Sequence, residues 1–299
     1  MAVFLTALDL EHAAVVEHLT QPTTERWKRG VIFDTGVFEG KELWNVAVAQ
    51  AGPGNATAGI LLDRAVAAFS PDVAIFVGIA GGRKDVRHGD VVVADAVYDY
   101  ESGKDEEQLY LPRIKTSAPS FSLVQRAQAV VRRSRWQERI LPRPPTPSPA
   151  AFVKPIAAGG KVVANDRSST ARLLAAYCGD ALAVDMESHG FLHGAYINEG
   201  VSALVVRGVS DLLSGKTAEN DARWQLAAAR HAAAFAFEVL DAGIENDRAG
   251  GVEVADRQSP PNQFVQKNSP VGGIVYANQG TGSQVIQNAA GTEGRNGYF

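Results

Sequence analysis

Along residues 1–243, short segments with the hydrophobic pattern of a strand alternate with longer segments that have the pattern of a helix. Short apolar or β-branched runs predict buried strands at 3–8, 43–50, 73–79, 90–97, 161–164, 181–184 and 203–209. Longer segments with apolar residues at helical spacing predict helices at 11–19, 57–69, 121–135, 169–177, 187–198 and 218–241. Strands and helices in this alternation favour the α/β class, with a three-layer α/β/α sandwich around a largely parallel or mixed sheet.

The pattern changes after the last predicted helix. We assign residues 1–244 to one domain and residues 245–261, which carry charge, glycine and a Pro-Pro pair, to a linker. Residues 262–299 form a low-complexity tail rich in Asn, Gln, Gly and Ser. Its stretches GIVYANQG and SQVIQNAAG have the composition of segments that stack into cross-β ladders. The tail is therefore interpreted either as disordered or as an amyloid-like assembly motif that could bind a receptor partner.

Composition narrows the class of protein. The 299 residues are 45% hydrophobic and 21% charged, as in a soluble globular protein, and the net charge of −4 gives no general attraction to nucleic acid. No apolar run approaches the roughly 18 residues of a membrane span. Nothing resembles a signal peptide, and the single cysteine, Cys178, excludes an intrachain disulfide, so we expect a cytoplasmic protein.

Four groups of residues with chemical potential stand at strand ends or helix starts. They are Glu11 in ALDLE, Glu187 in VDMES, Asp211 in VVRGVSD and the glycine-rich segment GIAGG at 78–82. Each motif considered alone also has a structural interpretation: Asp9 would cap a helix with Glu11 at its positive start, Asp185 would cap a helix that begins at Met186, and Asp211 would also be a helix cap. GIAGG is interpreted as a flexible turn. Arg207 interrupts an apolar strand, and a buried arginine usually needs an acidic partner.

Taken together and in this order, the segments carry a resemblance. Residues 3 to about 240 resemble the nucleoside phosphorylase and nucleosidase superfamily through ALDLE, AGPGNATAG, FVGIAGGRKDVRHGDVVVAD, GKVVAN, AVDMESHGFLH and VVRGVSDLLSGK. The most similar branch comprises the methylthioadenosine/S-adenosylhomocysteine nucleosidases and the nucleosidase effector domains of microbial immune receptors. The resemblance implies cleavage of the bond between adenine and ribose, which would be a possible act of antiviral defence.

The resemblance also implies a role for each carboxylate. Asp211, with Ser210 beside it, matches the acid that protonates the purine, because adenine leaves poorly unless its N7 is protonated. Glu11 matches the carboxylate that activates the attacking water. Glu187 matches the group that accepts hydrogen bonds from the ribose hydroxyls, and Met186 would pack under the sugar.

The remaining parts of the implied site are mostly backbone. Val163 and Ala164 match the purine-recognition strand, although that pattern usually has an aromatic residue where this chain has Val163. Backbone N–H groups of Ile79, Ala80 and Gly81 are candidates for binding the sugar. We expect neither a metal nor an organic cofactor, because the acid, the base and the sugar clamp are all protein groups. Members of the family generally form homo-oligomers, and the same is expected here.

Three alternatives remain open. A phosphate-dependent phosphorylase would need cations, but residues 1–24 contain no Lys or Arg, which favours hydrolysis. The segment AGPGNATAG loosely imitates a dinucleotide-binding loop, although Thr57 stands at the third glycine position. A non-catalytic nucleoside sensor is less consistent with the retained carboxylates.

The identity of the substrate also stays open. Arg83 and Lys84, followed by Arg87, could clamp the phosphates of AMP or ATP, or they could belong to a solvated loop. The first interpretation favours a nucleotide substrate and the second a methylthio- or homocysteinyl-type nucleoside.

Overall fold

The computed structural model describes residues 1–107, 110–133, 135–143, 147–213 and 218–242, without the side chains of 24–27 and 218–222. The linker and tail predicted at 245–261 and 262–299 lie outside the described residues.

All six predicted helices occur among the described elements, whereas the strands are more numerous than the sequence predicts. The helices are α1 (Asp9–Val16), α2 (Asn55–Phe69), α3 (Phe121–Arg133), α4 (Ser169–Tyr177), α5 (Ser188–Ile197) and α6 (Ala218–Asp241), with a short 3₁₀ helix at Arg135–Arg139. The strands are β1 (Ala2–Thr6), β2 (Thr20–Lys28), β3 (Val31–Glu39), β4 (Leu43–Gln50), β5 (Val73–Gly82), β6 (Val91–Val93), β7 (Val97–Asp99), β8 (Gly103–Asp105), β9 (Tyr110–Pro112), β10 (Lys115–Ser117), β11 (Ala151–Val153), β12 (Ile156–Ala158), β13 (Ala183–Asp185) and β14 (Ser202–Leu212).

Twelve of these strands form one mixed sheet. The path β10-β7-β12-β13-β5-β1-β4-β3-β2 runs across it, and β14 joins at β5 and continues to β6 and β11. The central pairs β4–β1, β1–β5 and β5–β14 are parallel, so their carboxyl ends meet at the same edge. In such sheets, binding sites lie at that edge.

Helices cover both faces of the sheet. In β1, Phe4 packs in one apolar cluster with residues of α1, α3 and α6, whereas Leu5 packs in a second cluster with residues of α2 and α5. Successive side chains of a strand point to opposite faces, which explains why the central strands are apolar at almost every position. The architecture confirms the three-layer α/β/α sandwich. No described helix is long and apolar enough to cross a membrane.

Three predicted strands differ in the structure. The run at 90–97 is divided into β6 and β7, because β6 pairs with β14 and β11 whereas β7 pairs with β12 and β10. The predicted strand at 161–164 is wrong: the chain leaves β12 at Ala158, passes Gly159 and Gly160, and joins no strand there. The prediction at 73–79 ends too early, since β5 continues to Gly82.

Candidate active site

A cleft of about 240 Å³ opens at the carboxyl edge of the central strands. Its walls come from the start of α1, the ends of β5 and β14, the start of α5, the segment at 161–163 and the first part of α6. The lining residues are Ala7, Leu8, Glu11, Pro53, Ile79, Ala80, Gly81, Lys161, Val162, Val163, Val184, Asp185, Met186, Glu187, Ser210, Asp211 and Gln225. The structure therefore brings Glu11, Glu187 and Asp211 together from positions up to 200 residues apart in the sequence.

Asp211 reaches the cleft because β14 is irregular at its end. The parallel register with β5 shifts between Val209 and Asp211, so that Asp211 pairs with Gly81. A bulge of this kind redirects the side chains that follow it. The hydroxyl of Ser210 donates to Oδ1 of Asp211 over 2.8 Å and so fixes the carboxyl group. Asp211 is only 8% exposed.

The GIAGG segment is part of a strand, which corrects its interpretation as a flexible turn. Residues 78–82 continue β5 and pair with β14, and Gly81 and Gly82 also pair with β13. The backbone of Ile79, Ala80 and Gly81 still lines the cleft. Because all three residues are paired with β14, and Gly81 with β13 as well, they form an ordered floor of the cleft.

Glu11 is held by backbone groups from two elements. Its Oε2 accepts hydrogen bonds from the N–H groups of Ala7 and Leu8, at 2.7 and 3.0 Å, and its Oε1 accepts one from Ile79 at 2.8 Å. The carboxylate is therefore oriented by the start of α1 and by β5. Burial raises the pKa of Glu11 above its ordinary value, while the positive charge of Arg207 and these hydrogen bonds partly oppose the rise.

Glu187 stands between the cleft and a buried cation. Its Oε1 accepts from the N–H of Gly54 at 3.1 Å, and its Oε2 lies 3.2 Å from Nη2 of Arg207. Burial raises the pKa of Glu187, Arg207 lowers it, and the negative charge of Asp185 raises it further. Two fixed donors, one on each oxygen, set the plane of this carboxylate.

Arg207 is the counterion of the buried carboxylates of Asp185 and Glu187. The sequence predicts such acidic partners for an arginine within an apolar strand. Its guanidinium is fully buried, 4.5 Å from the ring centre of Phe76, and pairs with Asp185 as well as Glu187. Burial alone would lower the pKa of Arg207, but Asp185, Glu187 and Glu11 together raise it. The arginine therefore remains charged.

Gly78 provides the space for this arrangement. A Cβ atom at that position would overlap Nη1 of Arg207 and would come within 2.8 Å of Oε1 of Glu11. A side chain there would displace both charged groups, which explains why β5 carries a glycine at this point.

Between residues 161 and 164 the structure brings only part of the predicted purine-recognition segment to the cleft. Val163 is buried and lines it, whereas Ala164 is exposed and does not. Lys161 and Val162 line the cleft instead, and Nζ of Lys161 lies 3.1 Å from Oε1 of Glu101. The site thus has an aliphatic wall where the family pattern has an aromatic one.

The predicted phosphate clamp is not at the cleft. Nε of Arg83 donates to the carbonyl of Ala181 at 3.0 Å, and Nη2 donates to Gly179 at 2.8 Å, beyond the end of α4. Lys84 is partly exposed near Asp85, and Arg87 pairs with Asp90. The arginine and the lysine that were expected beside the ribose are therefore used elsewhere or face solvent.

The lining is strongly acidic. Four carboxylates face the cleft, from Glu11, Asp185, Glu187 and Asp211, and Lys161 is the one cation among its described lining residues. Such a cavity favours a positively charged species over an anion. No group of three or more His, Cys, Asp or Glu side chains suited to a metal ion occurs within the described ranges.

Sequence analysis assigns no role to some of the lining residues, among them Leu8, Pro53 and Gln225. Leu8 and Pro53 belong to the segments ALDLE and AGPGNATAG, so their proximity to the site could have been inferred. Gln225 could not, because it lies at an ordinary position in the apolar pattern of α6.

Comparisons with known proteins agree with this geometry. A family model described as the phosphorylase superfamily matches residues 2–245. No curated protein sequence matches the chain significantly.

Several solved structures have the same fold. The methylthioadenosine/S-adenosylhomocysteine nucleosidase of Neisseria meningitidis, in complex with methylthio-immucillin-A, is 19% identical at a TM-score of 0.64, covering 80% of this chain and 98% of its own. The futalosine hydrolase of Helicobacter pylori is 20% identical at a TM-score of 0.65, covering 80% and 97%. A nucleosidase of the first kind from Colwellia psychrerythraea, in complex with adenine, is 21% identical at a TM-score of 0.65, covering 81% and 94%.

Proposed function

The chain belongs to the phosphorylase superfamily, and we propose that it is an N-glycosyl hydrolase that releases adenine from an adenine nucleoside. The observation that carries the proposal is the meeting of Glu11, Glu187 and Asp211 in one acidic cleft. Each has a separate chemical task, and none needs a cofactor.

Asp211 is proposed as the acid. Its proton passes to N7 of the purine as the bond between N9 and the anomeric carbon breaks, so adenine leaves as a neutral molecule. The hydrogen bond from Ser210 holds the carboxyl group in one orientation. General acid catalysis of this kind contributes about 100-fold to 10,000-fold in rate.

The departing base leaves positive charge on the ribose. The acidic lining stabilises that charge, because fixed charges in a partly closed site act with little screening. Glu187 is proposed to accept hydrogen bonds from the 2′ and 3′ hydroxyls, since a carboxylate held on both oxygens presents its remaining lone pairs in a fixed plane. Met186 lines the cleft next to it and would pack against the sugar.

Glu11 is proposed as the base that activates water. Oε2 already accepts two N–H groups, whereas Oε1 accepts one and keeps a lone pair for a water molecule. The water oxygen bonds to the anomeric carbon and its proton passes to Glu11. Because burial raises the pKa of Glu11, this carboxylate takes up a proton more readily than an exposed glutamate would.

Hydrolysis is favoured over phosphorolysis by the charge of the cleft. A phosphate dianion beneath the ribose would face Glu11 and Glu187, and Lys161 lies in the segment at 161–163 that forms the proposed purine wall. The structural relatives described above are named as nucleosidases and a hydrolase, and one of them holds adenine. The expected sugar product is therefore ribose and not ribose 1-phosphate.

The experiment that tests the proposal is product analysis with the full chain. Adenosine, methylthioadenosine, AMP and ATP would each be incubated with and without phosphate, and bases and sugars would be separated by chromatography. Free adenine is expected at a rate independent of phosphate, together with ribose from adenosine or, from any other substrate that is cleaved, the ribose that still carries its 5′ substituent. Ribose 1-phosphate would assign the protein to the phosphorolytic members, and binding without any release of base would make it a nucleoside sensor.

The assembly of the chain remains a proposal as well. We propose a homo-oligomer, and we propose that residues 262–299 form a cross-β assembly motif through which an immune effector could be coupled to a receptor. Their Asn, Gln and β-branched content supports this. A synthetic peptide of 262–299 should bind a cross-β dye, whereas the same peptide with Val275→Pro and Ile286→Pro should not, because proline interrupts cross-β ladders.

A further inference from the structure

His231 is a buried residue of α6 that does not line the cleft and to which the proposed mechanism gives no task. It is only 3% exposed, and its Nδ1 lies 2.7 Å from the carbonyl oxygen of Gly89. Because a carbonyl oxygen can only accept, Nδ1 carries the ring proton and donates to Gly89. Burial lowers the pKa of His231, whereas this hydrogen bond and the negative charge of Asp90 raise it in part. The ring is therefore uncharged at neutral pH.

Gly89 forms a β-bulge opposite Val209 of β14. The antiparallel pairing of β6 with β14 continues to Asp90, whose carbonyl accepts from the N–H of Val209 at 2.8 Å. The carbonyl of Val209, however, accepts from the N–H of Gly89, also at 2.8 Å. Two consecutive residues thus oppose one, which defines a bulge, and Gly89 has the positive φ, 84°, of a bulge that begins with glycine.

The bulge lies where β14 leaves its regular register and enters the cleft. The pairing of β14 with β5 shifts directly after Val209, and Ser210 and Asp211 follow. Both backbone groups of Val209 bind the segment at Gly89 and Asp90, so the bulge fixes the point from which the strand continues to the proposed acid. A displacement of the bulge would therefore move Asp211, which lies two residues further on.

The bulge is held from two sides. On one side, the carboxylate of Asp90 accepts hydrogen bonds from the N–H groups of Arg87 and Ala150, each at 2.8 Å. On the other side, α6 packs so closely that a Cβ atom at Gly89 would lie 3.2 Å from Nδ1 of His231. The hydrogen bond from His231 thus links the bulge to α6.

We propose that His231 is a positioning residue for Asp211 and acts through the bulge at Gly89; this inference rests on the proposed function. The imidazole holds the peptide of Gly89, that peptide holds Val209, and Val209 places the carboxyl group that protonates the purine. Proton transfer depends on geometry, and a misplacement of about 1 Å can cost on the order of 100-fold in rate. Loss of the hydrogen bond from His231 should therefore lower turnover and leave substrate binding nearly unchanged.

The test compares two side chains of the same shape at position 231 of the full chain. Leucine and asparagine both branch at Cγ, but only asparagine has a donor at the place of Nδ1. With adenosine as substrate, His231→Leu should reduce kcat about 10-fold and change KM by less than about 2-fold. His231→Asn should recover most of the lost kcat. A merely structural role of the ring would not distinguish these two variants.

The matched control is Val239→Ala, which removes packing from a fully buried position of the same helix and should leave kcat unchanged. Circular dichroism would establish that each variant is folded at the assay temperature. Unchanged kcat in His231→Leu would overturn the inference, and so would equal losses of kcat in the leucine and asparagine variants or an equal loss in the control.

A further variant decides the question if His231→Leu does not fold. The amide nitrogen of His231→Gln lies at the place of Nε2 and not of Nδ1, so this variant should have a kcat about 10-fold below that of His231→Asn. Equal kcat values for these two variants would overturn the inference. Failure of the unaltered chain to release base from any nucleoside would overturn the proposed function itself, which is a distinguishable result.

Discussion

Arg207 and Asp185 form a buried ion pair in which Nε of the guanidinium lies 2.6 Å from Oδ2 of the carboxylate, with both side chains almost completely inaccessible. The hydroxyl of Ser188 donates to the same carboxylate oxygen. Nη2 of Arg207 lies 3.2 Å from Glu187, so the pair connects the interior of the domain to the cleft. One arginine thus compensates more than one buried carboxylate.

The first prediction concerns the stability that depends on this pair. Arg207→Met should lower the free energy of unfolding by about 3–5 kcal/mol, because Asp185 and Glu187 would remain buried without their counterion. Thermal denaturation followed by circular dichroism would measure the loss, on the order of 10 °C for a domain of this size. Arg133→Met, on the exposed end of α3, is the control and should change little. An unaltered melting temperature for Arg207→Met would contradict the charge balance described above.

Glu187 should determine recognition of the ribose. In Glu187→Gln the carboxamide can donate as well as accept, so the paired hydroxyls lose an acceptor and turnover of adenosine should fall about 10-fold or more. Turnover of 2′-deoxyadenosine should fall less, because one of the two hydroxyls is already missing. The measurement is the ratio of the two specificity constants, with Glu199→Gln in an exposed loop as the control. A ratio equal to that of the unaltered chain would assign the hydroxyls to another residue.

The central sheet was predictable because its strands are buried on both faces. Most residues of the central strands β1, β4, β5 and β14 are apolar. Short apolar runs of this kind are typical of strands that are buried on both faces. The hairpin of β2 and β3 was missed, because TQPTTERWK is a polar edge strand that contains a proline and has no apolar run. The formation of such an edge strand depends on hydrogen bonds to the neighbouring strand, and the hydrophobic period of the sequence does not reveal that neighbour.

In the site, too, residues within a local sequence pattern were predictable, whereas contacts with distant residues were not. Glu11, Glu187 and Asp211 adjoin strand ends and carry a family pattern, so sequence alone places them together. The environment of Arg83 could not be predicted, since its partners, the carbonyls of Gly179 and Ala181, lie almost 100 residues away. A basic residue after a glycine segment therefore suggested an anion site, although the cation in fact satisfies the carbonyl groups of a loop.

Asp211 should be essential for the release of base. Asp211→Asn keeps the shape of the side chain and can still pair with Ser210, but it has no acidic proton to give to the purine. The turnover number should fall by roughly 100-fold or more, whereas binding of adenosine, measured by calorimetry, should change much less. Asp105→Asn on the exposed strand β8 serves as the matched control. Near-normal release of adenine by Asp211→Asn would remove this residue from the mechanism.

The last prediction concerns the pH dependence that Glu11 imposes. The water-activating carboxylate must be ionised, so activity should decline as the pH falls through its pKa. Because burial raises that pKa, the decline should begin at a higher pH than for an exposed glutamate. The measurement is the rate of adenine release under saturating adenosine from pH 4 to 8, compared with Glu11→Gln, which should be slower by about 100-fold. The variant should also lack this acidic limb, because its amide does not titrate. Glu17→Gln, further along the chain and paired with Arg230 at the surface, should keep the limb unchanged. If Glu11→Gln retained both the rate and the acidic limb of the unaltered chain, another group would have to activate the water.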